Sequence, residues 1–285
     1  MAWYSRTVAA LGFCVVFAPV IAAQWPSYPT PDVPRKDGKP ILDAPAPRTP
    51  DGKVDFSGIW QRGGGGGGGR VAAGRGAAAT PAPLPPGVDA LSGFGEVAGR
   101  GFALPLQPWA AELKKKRMAD NSKDNPDVWC LPIGLMQYHN HPQPRQIVQT
   151  KNLMLITYES NYGLRYIYLD GRPAPNNDPQ PWWFGYSRGW YEGNDTLVVE
   201  TTNFYGEERA GWLDVNGSPY TDALKMTERF RRPNFGTLEI DVTIDDPKAY
   251  TKPFTVRVNQ RIMVDQEMIE FICNENEQST KHIPK

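Results

Sequence analysis

From Arg145 onward, apolar and polar residues alternate with a period of two. The segments "RQIVQT", "LMLITYES" and "LRYIYL" are separated by the tight turns "KN" and "NYG", which is the pattern of strands joined by hairpins. Beyond "DGRP" and a proline-rich loop come "FGYSRGWYE", the turn "GND" and "TLVVETTNF", then "ALKMTERFRR", "PNFG" and "TLEIDVTI". "KPFTVRVNQRIM" and "EMIEFIC" close the series. This makes about ten strands with mostly short connections, which predicts antiparallel neighbours. In "TLEIDVTI", Leu238, Ile240, Val242 and Ile244 share one face, and Thr237, Glu239, Asp241 and Thr243 share the other. One dry and one wet face, repeated along a meander, predicts an all-β domain. The expected form is an antiparallel up-and-down barrel, lipocalin-like, or a sandwich. The one helix signal is "LQPWAAELKKKRMADNSKD", with Pro108 in the first turn and a stop at Asp120 and Asn121, predicting a short helix near 108–120.

Upstream of this domain the composition changes. Residues 1–23 carry Arg6, an apolar run from Val8 to Ile21 and then Ala22 and Ala23. This reads as a secretory signal, too short for a comfortable membrane span. Residues 24–53 form a proline-rich arm, and 54–61 ("VDFSGIWQ") a short strand. Residues 62–100 are so rich in Gly, Ala and Pro that they read as a disordered insertion. The β domain spans 101–278, and 279–285 is a polar tail.

Composition narrows the function. The chain has 31 basic and 31 acidic side chains and no net charge, so it has no electrostatic reason to seek nucleic acid or an anionic membrane. No transmembrane segment is expected in the mature chain, which is expected to be secreted or periplasmic. Nine Trp and an aromatic fraction of 11% suit a ligand cavity as well as a core. Removal of the signal removes Cys14 and leaves Cys130 and Cys273. Two cysteines in an exported protein predict one disulfide.

Several motifs in fixed order are familiar: "DGKVDFSGIW", "CLPIG", "QIVQT", "YLDGRP", "GYSRGWYEGNDTLVVETTNF", "TDALKMTERFRRPNFGTLEIDVTIDDPKAYTKPFTV" and "CNENE". The chain resembles a large group of secreted bacterial proteins of uncharacterised activity, over residues 51–60 and about 128–278. That resemblance implies an exported, β-rich domain and supplies no catalytic residues. The glycine-rich stretch and "YHNHP" are departures from it.

Charged residues in register with apolar ones mark the candidate chemistry. Glu228 falls in line with Leu224, Met226 and Phe230, and Arg165 with Ile167 and Leu169. Glu200 shares a face with Val198, Thr202 and Phe204, and Glu270 with Met268 and Ile272. Charges on an inner face must be paired. They read either as a structural bridge or as the polar contacts of an aromatic-lined pocket. The candidate ligand-binding set is Arg165, Tyr166, Tyr168, Trp190, Glu200, Trp212 and Glu228, around a small hydrophobic or aromatic molecule. The alternative is a cofactor-free lyase, isomerase or hydrolase with Glu228 as general acid/base. A second alternative is a surface interaction protein acting through its Pro- and Gly-rich arms. His139 and His141 share one face if extended, but zinc needs at least three protein ligands. The other histidine, His282, lies in the polar tail. No metal or cofactor is therefore expected, and the sequence does not fix the oligomeric state.

Overall fold

The computed structural model describes residues 29–63, 86, 88–90, 97, 103–175, 180–209 and 211–275. The expected signal peptide, the polar tail with His282 and most of the glycine-rich stretch lie outside these residues. The elements in chain order are β1 (Arg35–Lys36), β2 (Lys39–Pro40), β3 (Gly58–Arg62), β4 (Val88–Ala90), α1 (Pro108–Ala119) and α2 (Leu135–Asn140). Then follow β5 (Arg145–Gln149), β6 (Leu153–Tyr158), β7 (Leu164–Tyr168), β8 (Tyr186–Glu192), β9 (Thr196–Thr202), β10 (Lys225–Asn234), β11 (Thr237–Asp245) and β12 (Phe254–Met263).

Strands β5 to β12 run in sequential order, β11 pairs with β12, and β3 inserts between β12 and β5. The ring therefore closes on nine strands, as a barrel and not a sandwich. An odd number of strands cannot alternate in direction all the way round a closed ring, so one neighbouring pair has to be parallel. That pair is β7–β8, with Ile167 beside Ser187 and Tyr168 beside Arg188. Its connection is the long proline-rich segment between Leu169 and Gly185, since a parallel pair cannot be joined by a tight hairpin. The purely antiparallel meander expected from short turns is corrected at this one junction.

A second correction concerns "EMIEFIC", which is not a strand. Strand β12 already pairs with β11 on one side and with β3 and β4 on the other. The closed ring offers no free edge, so residues 264–272 run irregularly across the surface with Ile269, Glu270 and Ile272 exposed. Within residues 62–100, Val88–Ala90 pair in parallel with Thr255–Arg257 of β12, and Val97 is buried.

The interior is built from alternate positions of these strands. Trp60, Ile147, Met154, Ile156, Ile167, Leu197, Val199, Met226, Phe230, Leu238, Ile240, Val242, Ile244, Val256 and Val258 are all buried in one cluster. Helix α1 begins with Pro108, as its fixed φ favours. It docks through Arg117, whose guanidinium lies 4.1 Å from the Trp212 ring and donates to the carbonyl of Gly211 at 2.8 Å. Cys130 and Cys273 form a disulfide, with their Cα atoms 5.6 Å apart. It ties the segment between the two helices to the segment after β12. No helix among the described residues is long and apolar enough to cross a membrane.

Candidate functional site

Inside the apolar barrel lies a buried polar cluster. In β10, Met226, Glu228 and Phe230 all point inward, and in β7 so do Arg165 and Ile167. The structure brings Glu228 and Arg165 together as a bidentate pair. Arg165 Nη1 donates to Glu228 Oε1 at 3.0 Å, and Nη2 donates to Oε2. The same guanidinium donates from Nε to Ser187 Oγ at 3.0 Å and from Nη2 to Thr201 Oγ1 at 2.9 Å. Ser187 of β8 and Thr201 of β9 are directly opposite in register, so both hydroxyls face Arg165. A planar fork with fixed donors suits this arrangement better than a lysine would.

Helix α2 contributes the next member. His139 Nε2 lies 2.7 Å from Glu228 Oε1, and Arg145 Nη1 lies 3.0 Å from His139 Nδ1. A guanidinium can only donate and an ionised carboxylate can only accept. The imidazole must therefore carry its proton on Nε2, donate it to Glu228 and accept at Nδ1 from Arg145. Arg145 also donates to the His139 carbonyl at 3.3 Å and, once the Gln260 amide is turned so that its oxygen rather than its nitrogen faces the guanidinium, from Nη1 to that oxygen at 2.7 Å. Arg145, Arg165, His139 and Glu228 are all essentially inaccessible to solvent.

Burial alone would push the Glu228 carboxyl up. The Arg165 charge, with hydrogen bonds from His139 and Arg165, brings it down to about 2. Burial pulls His139 below the usual histidine value, and the two arginines add to this against the attraction of Glu228. The imidazole is therefore neutral at pH 7, in agreement with the tautomer derived from its partners. Burial lowers Arg145 to about 10, which leaves it charged. Burial also raises the Tyr158 hydroxyl, which stays protonated.

The other residues picked from the sequence lie elsewhere. Tyr166 is 47% exposed and Trp190 45% exposed, both on the outer wall. Tyr168 is also outside, under the guanidinium of Arg172 at 3.8 Å. If Arg165 and Ile167 of β7 face inward, Tyr166 and Tyr168 must face outward, and the same alternation turns Trp190 out beside Gly189. Tyr166, Tyr168, Tyr186 and Trp182 form a row on this outer surface, with successive ring centroids 6.5, 5.2 and 5.4 Å apart. Glu200 is also corrected to the outside, where it pairs with Arg188 at 2.7 Å and Lys225 at 3.3 Å. Trp212 is buried, but under Arg117 of α1 and not among the cluster.

The two histidines part company. "LMQYHN" folds as helix α2, not as an extended run. Only His141, at its end, has extended geometry. His139 enters the barrel, while His141 Nδ1 lies 2.6 Å from Gln143 Oε1 and its Nε2 3.6 Å from Asp127. Among the described residues no three His, Cys, Asp or Glu side chains are grouped as metal ligands would be.

Reading the sequence missed Arg145, Tyr158, Ser187, Thr201, Gln260 and the role of His139. For four of these a period-two signal existed: Arg145 precedes Ile147 by two, Tyr158 follows Ile156 by two, Thr201 follows Val199 by two, and Gln260 lies between Val258 and Ile262. The whole defines a closed β-barrel with an ionic cluster at its heart. No protein-family model matches the chain, and no curated protein matches it significantly in sequence.

Proposed function

We propose that this protein is an exported barrel that holds one small hydrophobic or aromatic molecule and orients it against a fixed internal charge cluster. Export is supported by the disulfide, a bond that persists in oxidising compartments. The observation that carries the binding role is the state of Glu228. A general acid or base near neutral pH needs a carboxyl whose pKa has been raised toward its working range. Here Arg165 and His139 hold Glu228 ionised, far from that range. Such a group fixes the charge pattern that a ligand would meet and is poorly suited to exchange protons near neutral pH. The surrounding walls are apolar and aromatic, as small-molecule sites are.

A second reading has its own support. Both carboxylate oxygens of Glu228 are already hydrogen-bonded within the protein, as they would be in a purely structural bridge. One experiment separates the two. Full-length protein is collected from the exported fraction and its bound small molecules are measured by native, then denaturing, mass spectrometry. A single organic molecule at near-stoichiometric amount is expected, and a changed occupancy in Glu228→Gln at a temperature where that variant is folded. An empty barrel in the wild-type protein would leave only the structural bridge.

A further inference from the structure

We propose that the molecule held in the barrel is a small organic acid, with its carboxylate seated against Arg145 and Tyr158 and its apolar body against the aromatic rings of Tyr138, Tyr158 and Phe184. This rests on the binding reading above and names the ligand class for that site.

The first observation is charge. Two guanidiniums, Arg145 and Arg165, stand in the cluster against one carboxylate, Glu228, which is fully engaged by Arg165 and His139. Arg145 forms no ion pair among the described residues. Its partners are neutral: His139 Nδ1, the His139 carbonyl and the Gln260 amide oxygen. The cluster thus carries one uncompensated positive charge, and an unpaired buried ion is costly. A monoanion removes that cost, whereas a doubly charged phosphate ester would leave an excess of the opposite sign.

The second observation is a set of unused donors beside that charge. Arg145 Nε is buried and has no hydrogen-bond partner among the described residues, and the buried Tyr158 hydroxyl, beside the Arg165 guanidinium, is left with a proton to donate. Native proteins rarely leave such groups unpaired. They are also neighbours. Arg145 and Tyr158 are directly opposite across β5 and β6, and the Arg145 guanidinium lies 5.6 Å from the Tyr158 ring centroid. The Tyr138 ring is 4.4 Å from that of Tyr158 and 5.3 Å from that of Phe184. A guanidinium N–H and a phenolic O–H match the two oxygens of a carboxylate. The adjoining rings fit an apolar or aromatic remainder.

The test uses full-length protein freed of bound molecules by reversible unfolding. Binding of benzoate and of its neutral isostere benzamide is measured by calorimetry, with sodium chloride and acetate as small-anion controls. Benzoate is expected to bind at least about tenfold more tightly than benzamide, the equivalent of roughly 1.4 kcal/mol. Tyr158→Phe keeps the ring and is expected to weaken benzoate about tenfold, more than it weakens benzamide. Arg145→Gln, if folded, is expected to abolish the preference. Benzamide binding as tightly as benzoate, or a neutral molecule found in the natively exported protein, would overturn the carboxylate but leave the binding barrel standing. Chloride and acetate binding as tightly as benzoate would show a simple anion site and also overturn the proposal. No binding of any probe, together with an empty native barrel, would overturn both readings.

Discussion

Glu228 and His139 are coupled in a way that makes stability depend on pH in two legs. His139 is held neutral in the folded protein, below its ordinary value of 6.5. As pH falls below 6.5 the unfolded chain takes up a proton that the folded protein refuses, so stability declines. Glu228 extends the decline: its carboxyl is protonated from about 4.5 downward in the unfolded chain but only near 2 in the folded one. Urea midpoints measured from pH 7.5 down to pH 3 are expected to fall in both ranges. His139→Gln is expected to flatten the upper leg and leave the lower one. A wild-type midpoint that is constant between pH 7 and pH 5 would contradict a buried neutral imidazole. Removing one charge from the pair should be far worse than removing both. Glu228→Gln strands Arg165 in the interior, for which about 3–5 kcal/mol is expected, whereas joint replacement of Arg165 and Glu228 by Met and Leu should cost much less in urea unfolding.

At the level of elements, the sequence was legible wherever its alternation admitted one phase. β10 reads Met226, Glu228, Phe230 with polar residues between, and its inward face follows directly. β9 admits two phases, because Leu197, Val198 and Val199 are consecutive and all buried. Val198 is covered on the outer side, so counting apolar neighbours turned Glu200 inward and Thr201 outward, a one-residue slip that exchanges every side chain. α2 was illegible for another reason. It has six residues and no side-chain cap, too short for a helical pattern, and depends on packing for its existence. That packing is close: a methyl group added at Gly134, the residue before α2, would come 2.1 Å from the Trp212 carbonyl oxygen. Gly134→Ala is expected to destabilise the protein by about 1–3 kcal/mol. Hydrogen exchange should show the loss concentrated in α2. If the amides of α2 keep their protection, the helix is not held in place by this contact and His139 is positioned from elsewhere.

Over the whole molecule, the ring is completed by a strand from far upstream. β3 pairs with β12 over Ile59–Arg62 and with β5 over Gly58–Trp60, so residues near 60 close a seam between residues near 147 and 262. Arg232 of β10 secures the approach to that strand, donating to the carbonyls of Asp55 at 2.7 Å and Ser57 at 3.1 Å while lying 4.8 Å from the Trp60 ring. Nothing local in "SGIWQR" reveals this partner choice, so although the meander pointed to a barrel, the place of β3 in the ring and the parallel junction were not readable from turn lengths. The disulfide acts at the same scale. Its two cysteines are 143 residues apart and enclose β5 to β12, with α2. Closing so long a loop restricts the unfolded chain by about 5 kcal/mol on the chain-entropy estimate, with about 2–4 kcal/mol more usual in practice. The bond is not needed to hold the ring shut, because β11 pairs with β12 along Thr237–Ile244 and β3 fills the remaining gap. Joint Cys130→Ser and Cys273→Ser replacement is therefore expected to give a folded barrel with the same near-ultraviolet circular dichroism. Its urea midpoint should be lower by the equivalent of about 2–4 kcal/mol. Its denaturant slope should be steeper, since the unfolded chain is freer to expand. An unchanged midpoint would mean that the bond adds no constraint to the unfolded chain. Loss of the near-ultraviolet signal would mean that the seam depends on the disulfide and not on strand pairing alone.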